Sequence, residues 1–207
     1  MAQTTFFSDL GTGNNVYNSS TGWTVGGSLT LENYYNEAEE FTAGATGSVS
    51  QIDIGIGYVT GTNSFFAALY TDNNNLPGTE VAQWNNLSSS QNFQGCCGLV
   101  TITGISGVDL TSGTSYFLIV GPTNQNSTTW EAWNWSNSAT GLLLSASSGC
   151  TNGGADGCSW TSDPNQPMGA FDVIGSTNST VPEPSSLLLL GTGLVGAFGS
   201  IRRKLMR

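Results

Sequence analysis

The sequence predicts an all-β fold, a jelly-roll-like antiparallel β-sandwich, followed by one C-terminal hydrophobic (transmembrane) helix. Short apolar runs alternate with clusters of Asn, Asp, Gly and Pro from Thr5 to Ile174, and no amphipathic helical period of useful length interrupts them. In "QIDIGIGYV", Ile52, Ile54, Ile56 and Tyr58 alternate with Asp53, Gly55 and Gly57, which predicts one strand with a single buried face. "SFFAALYT" has no polar alternation and predicts a strand buried on both faces, and "DNNNLPGT" supplies the turn residues before "EVAQW". "LVTITGI", "SYFLIVG", "TTWEAWNW", "TGLLLSA" and "MGAFDVIG" continue the series, giving about nine to twelve strands in two packed sheets.

Three segments follow from composition. Residues 1–174 form the sandwich, 175–181 ("GSTNSTV") a polar linker, and 182–207 a tail with a membrane segment at 185–201 and a basic end. The chain has fourteen acidic residues, four basic ones and no His, for a formal charge of −10. All the basic residues, Arg202, Arg203, Lys204 and Arg207, lie in the tail, and every acid lies at or before Glu183. A domain of this charge repels a phosphate backbone, which excludes nucleic acid as a partner. Without His or Lys before the tail, Ser-His-Asp and Cys-His dyads, Schiff bases and imidazole metal sites cannot be built there. Carboxylate chemistry and hard-cation binding remain.

The four cysteines admit three disulfide connectivities. A zinc site is disfavoured, because a CC pair and a C-x7-C pair lack knuckle spacing. The expected bond is Cys150–Cys158, closing "CTNGGADGC" across a hairpin, which leaves Cys96 and Cys97 as a vicinal pair. "MAQTTFFSDLG" lacks the regions of a secretory signal, but Ala2-Gln3 suits the junction that signal peptidase leaves, so an already removed leader is expected.

Leu187 to Ile201 is uncharged and mostly apolar, and as a helix it reaches about 22 Å against a hydrocarbon core of roughly 30 Å. With Ser185, Ser186 and snorkelling arginines it just spans. The basic cluster after it places the C-terminus in the cytoplasm and the β domain outside. Gly193, Gly196, Ala197 and Ser200 provide small-xxx-small spacings of the kind that pair helices.

Val181, Pro182, Glu183 and Pro184, the hydrophobic segment, and Arg202, Arg203 and Lys204 come in an order that resembles the PEP-CTERM sorting domain of exported bacterial proteins. The resemblance implies recognition by exosortase, a membrane-embedded cysteine transpeptidase, cleavage near Pro182–Pro184, and release of the β domain to the cell surface or extracellular matrix. Residues 38–174 are similar to the β-sandwich ectodomains often joined to this signal, through "LYTDNNNLPGT", "CCGLVTITG", "LTSGTSYFLIV", "WNW", "ATG" and "GAFDVIG". That similarity speaks for the fold and implies no activity.

Within the domain, Glu37 and Glu39 share one strand face about 7 Å apart, which suits either paired-carboxylate glycoside hydrolysis or an ordinary solvated edge. Trp130, Trp133 and Trp135 either fill the core or, with Trp133 and Trp135 on one face, form a platform for sugar rings to which Trp23, Trp84 and Trp160 add. Asp72 with Asn73, Asn74 and Asn75, and Asp156 near Asp163, offer oxygen ligands of the type Ca²⁺ takes, although turn chemistry alone accounts for them. No cofactor is required. The expected function is that of an exported, non-enzymatic surface or matrix protein in contact with exosortase, the membrane and extracellular polysaccharide. A carbohydrate-binding module and a glycoside-active enzyme using Glu37 and Glu39 are the alternatives.

Overall fold

A computed structural model describes residues 3–13 and 15–177. The expected membrane helix therefore lies outside the described residues. Two antiparallel sheets contain thirteen strands among those residues. The smaller sheet has the order β1 (Thr4–Ser8), β13 (Phe171–Thr177), β4 (Gly47–Ile54) and β8 (Val100–Thr103), with β9 (Asp109–Leu110) also pairing with β4. The larger has the order β12 (Thr161–Gly169), β11 (Trp130–Ala146), β3 (Asn36–Thr42), β10 (Ser115–Pro122), β6 (Phe65–Asp72) and β7 (Pro77–Leu87). Two further strands, β2 (Asn18–Gly26) and β5 (Ile56–Thr60), pair with the first part of β11. Among the described residues the one helix is α1, Ser28–Leu31.

Alternation along the strands explains which residues meet. In the larger sheet Tyr116, Leu118 and Val120 of β10 and Leu69 of β6 join Ile52, Ile54, Phe171 and Val173 of the smaller sheet in one core. The opposite face of the larger sheet is also covered: Ala38, Phe66, Ala68, Tyr70, Phe117, Ile119 and Leu144 form a second cluster under Ala155, Cys158 and Trp160 of the β11–β12 connection. "SFFAALYT" is apolar at successive positions because both of its faces are buried.

"QIDIGIGYV" is not one strand. Its first half belongs to β4 in the smaller sheet, its second to β5 in the larger, and the chain changes sheets at Gly55. "MGAFDVIG" divides the same way at Ala170, between β12 and β13. These crossings are bonded to each other through β11. The Gly55 amide donates to Ala170 O (2.8 Å), the Ala170 amide to Asn134 O (2.7 Å), and the Asn134 amide to Gly55 O (2.8 Å). A closed ring of three backbone hydrogen bonds thus satisfies groups that leave one ladder before joining the next. "TTWEAWNW" and "TGLLLSA", in contrast, merge into the single long strand β11, whose pairing with β12 is irregular between Trp135 and Thr140.

Trp133 fills the space beneath the corner. It is fully buried, donates its indole N–H to Ala170 O at 3.2 Å, and packs on Phe171 with ring centroids 5.8 Å apart. A Cβ at Gly169 would lie 2.4 Å from the Trp133 indole, which has no room to withdraw. Gly169→Ala is therefore expected to cost about 1–3 kcal/mol through overpacking. A urea denaturation midpoint equal to that of the wild type would show that the indole can yield.

Candidate functional site

The sorting residues Val181, Pro182, Glu183 and Pro184, the membrane segment, and Arg202, Arg203 and Lys204 lie outside the described residues. Within the domain, Trp133 is a core residue, whereas Glu37 and Glu39 occupy neither a cleft nor a solvated edge.

Of the two arrangements open to the tryptophans, the structure takes core filling for Trp133, which has no exposed surface, and a Trp133–Trp135 platform is not formed. Its strand is flanked by neighbours and its side chain enters the space between the sheets. Trp135 is half-buried and leans on Trp23, with centroids 5.1 Å apart and planes inclined by 48°. Trp23 is itself tied down by donation from its indole to Pro167 O at 2.8 Å. Trp130 is half-buried, and strand alternation turns it away from Trp133. Trp84 packs at the margin of the main core and Trp160 over the second cluster.

Glu37 and Glu39 are not on a solvated edge. β3 lies between β10 and β11, with Glu37 opposite Val120 and Ser145, and Glu39 opposite Leu118 and Leu143. Both side chains therefore share the face of the main core, at 3% and 0% exposure. Ser145 Oγ donates to Glu37, and the Gly169 amide donates to Glu39 Oε1 at 2.9 Å. A carboxyl without access to solvent has no route to a polysaccharide substrate, so the pair does not form a glycosidase cleft in this structure.

Composition had not singled out Asp9, Glu131, Asp53 or Asp172. Asp9 accepts the Phe171 amide at 2.8 Å, and its carbonyl accepts Ser136 Oγ at 2.8 Å. Gly169 and Phe171 flank the crossing at Ala170, so the buried carboxyls of Glu39 and Asp9 satisfy the two amides that the change of sheet exposes. Glu131 accepts Ser89 Oγ at 2.7 Å. Asp53 and Asp172 stand directly opposite each other on β4 and β13, and Gln51 donates to Asp53 at 2.6 Å. Asp9 Oδ2, Glu39 Oε2 and Glu131 Oε1 make no hydrogen bond.

Burial, with no cation among the described residues, pushes Asp9, Glu37, Glu39, Glu131 and Asp172 toward the neutral form. Desolvation raises Glu37 to about 8, and Asp9 and Glu131 to about 7. Asp172 rises to about 7 through desolvation and then the facing Asp53. Glu39 is raised well above its ordinary range by desolvation, against the Gly169 hydrogen bond, with Glu37 and Asp9 adding to the rise. The absence of cations before residue 202, plain in the composition, obliges any buried acid to keep its proton or rely on hydrogen bonds, a consequence that period-two patterning does not assign to particular residues.

The loop residues weighed as calcium ligands are engaged otherwise. Asp72 Oδ1 accepts the Asn75 amide at 2.8 Å, and Asn74 and Asn75 adopt the left-handed conformation of a turn. Tyr70 lies between two carboxyls, 2.9 Å from Asp156 Oδ1 and 3.1 Å from Glu80 Oε2. Asp163 is exposed on β12. Among the described residues no group of three His, Cys, Asp or Glu side chains is placed to hold a metal ion.

Cys150 is bonded to Cys158, and Cys96 to Cys97. The Cys150–Cys158 loop lies over the second apolar cluster. Asn36 Nδ2 donates to Gly154 O at 3.0 Å, Gln83 Nε2 to Gly153 O at 2.8 Å, and Gln125 Nε2 to Thr151 O at 2.9 Å.

These carboxyls fix the direction of the pH dependence. Their protons are held more tightly in the folded chain than in the unfolded one, where they titrate near 4, so the folded state binds more protons between those values. The stability these groups contribute is full below about pH 4 and is lost as pH rises through 7 to 8. The thermal midpoint is expected to be higher near about pH 5 than near about pH 9. Glu37→Gln, which keeps an acceptor for Ser145 and removes the titration, should gain on the order of 1–3 kcal/mol near about pH 9 and little near about pH 4. A midpoint that climbed with pH would contradict the assignment.

No curated protein and no solved structure matches the chain. A family model does match its tail. Residues 180–204 fit the PEP-CTERM protein-sorting motif, spanning the Pro-Glu-Pro element, the hydrophobic segment and the basic cluster through Lys204. The chain thus joins a β-sandwich domain to a PEP-CTERM protein-sorting motif.

Proposed function

We propose that the protein is an exported, non-enzymatic component of the cell surface or extracellular matrix, sorted and cleaved by exosortase through residues 182–207. The observation that carries this reading is the motif match at 180–204, immediately after a folded domain that reaches Thr177. Physical chemistry supplies the steps. The apolar segment from Leu187 to Ile201 partitions into the bilayer, and Arg202, Arg203 and Lys204 hold its end on the cytoplasmic side. The acidic domain, without a cation to retain it at an anionic cytoplasmic leaflet, is left outside. Cleavage beside Pro182–Pro184 then removes every basic residue of the chain and releases the domain to its destination.

The absence of His, Lys and Arg from the domain and the burial of its paired glutamates favour a binding or structural role over catalysis. The sealed disulfide loop suits an oxidising, extracytoplasmic setting.

Protein extracted from the surface of the native host is expected to have an intact mass that lacks Arg202 to Arg207. Deletion of 182–207 is expected to abolish surface delivery. An intact tail on the surface protein would refute cleavage, and unchanged delivery of the deletion variant would refute sorting. Non-reducing peptide mapping of the same material should recover Cys150 linked to Cys158. Both recovered as free thiols would overturn that pairing in the exported protein.

A further inference from the structure

A groove of about 400 Å³ is lined by Tyr58, Val59, Asn92, Phe93 and Gln94. Its lining contains two aromatic rings, two primary amides and no charge, within a domain whose charged side chains are all acidic. The size falls within the range of small-molecule sites. A second concavity of about 440 Å³, lined by Leu29, Thr62, Asn126 and Thr128 among others, is rich in hydroxyls and amides but has no aromatic ring.

The aromatic groove is built before any ligand arrives. Segment 91–98 is laid against β5 by backbone bonds: the Tyr58 amide donates to Gln91 O at 2.9 Å, and the Phe93 amide donates to Tyr58 O at 2.8 Å. The Gln94 amide is held by Ser19 O at 3.0 Å. This approach requires glycine at position 57, where a Cβ would lie 2.8 Å from Phe93 Cα. Tyr58 is fixed at its far end by donation from its hydroxyl to Gly61 O at 2.9 Å. Downstream, the Gly98 amide donates to Gln91 Oε1 at 2.7 Å, and Cys96 and Cys97 are bonded within the segment. A ligand entering here has little backbone left to order.

We propose that this groove binds an uncharged polysaccharide segment, with Tyr58 and Phe93 packing on the C–H faces of sugar rings and Asn92 and Gln94 hydrogen-bonding their hydroxyls. Aromatic faces provide apolar contact, and each amide offers a donor and an acceptor side by side to match neighbouring hydroxyls. Charge selects the class: an anionic polymer meets a domain with carboxylates and no cation, whereas a neutral one does not. The inference goes beyond sorting by the tail and does not depend on it. Neither Trp133 nor Trp135 lines this groove.

The test uses the full chain in detergent micelles, with cellotetraose, mannotetraose and chitotetraose as neutral probes and tetragalacturonate as the acidic one, in buffer containing EDTA. Binding is read by titration calorimetry and saturation-transfer NMR. At least one neutral tetrasaccharide is expected to bind, and tetragalacturonate to bind at least about tenfold more weakly than it. Phe93→Leu, which keeps apolar bulk without a ring, and Gln94→Gly should each weaken that binding by about tenfold. Gln94 is exposed at φ 72°, a conformation glycine adopts without strain, so the second variant carries the test should the first not fold. No binding of any neutral probe at about 10 mM, equal binding of tetragalacturonate, or wild-type affinity in a folded Gln94→Gly would overturn the proposal. None of these outcomes bears on where the tail delivers the protein.

Discussion

The β domain has to fold around carboxyls with no cation to pair with them. Thirteen acids and no Lys, Arg or His lie between residues 1 and 177, and Glu37, Glu39 and Glu131 are almost entirely removed from solvent. In most proteins a buried carboxylate is paired. Here the partner is a hydrogen bond from an amide or hydroxyl, while burial shifts the acid toward its neutral form. Gly169 N–H on Glu39, Phe171 N–H on Asp9, Ser145 on Glu37 and Ser89 on Glu131 repeat one solution at four places.

Two of those places lie at the corner where β12 becomes β13. Changing sheets frees backbone amides from one ladder before the next can use them, and a buried free amide costs about 1–3 kcal/mol. The three-membered ring through Gly55, Asn134 and Ala170 satisfies the crossing residues themselves, while Glu39 and Asp9 take the amides on either side of Ala170. The buried acids are thus part of the joint between the sheets. A paired glutamate motif that reads as chemistry in one dimension is architecture in three. The same joint gives Trp133 its position, because the Ala170 carbonyl accepts both the Gly55 amide and the Trp133 indole.

How legible was this in the sequence? The all-β class was readable because runs such as "SFFAALYT" and "SYFLIVG" are too short and too apolar for surface helices, and turn residues bracket them. The Cys150–Cys158 bond was readable from the short loop between two strand-like runs. The division of "QIDIGIGYV" between two sheets was not, because a strand that continues into the opposite sheet keeps its alternation through the bend. Gly55 was the only local sign, and its role depends on Tyr17, 2.8 Å from where a Cβ would be. Burial of Glu37 and Glu39 was equally hidden, since period-two patterning tells which residues share a face but not which face is covered. The aromatic groove escaped for a related reason: Tyr58 and Phe93 are far apart in sequence and meet only because segment 91–98 folds back on β5. "WEAWNW" drew attention by composition, but a tryptophan in a strand with neighbours on both sides is first a core residue.

The segregation of charge connects the domain to its tail. A lysine or arginine in the interior would relieve Glu37 or Glu39, yet the chain has basic residues only at its basic end. On the surface, a domain without cations has no electrostatic hold on an anionic leaflet, and every basic residue, Arg202, Arg203, Lys204 and Arg207, comes after it in the sequence. The burden on the interior follows from that distribution: without internal cations, buried acids must be stabilised by protons and backbone amides. The composition that confines cations to the tail therefore also leaves the carboxyls at the corner between the sheets to be held by backbone amides.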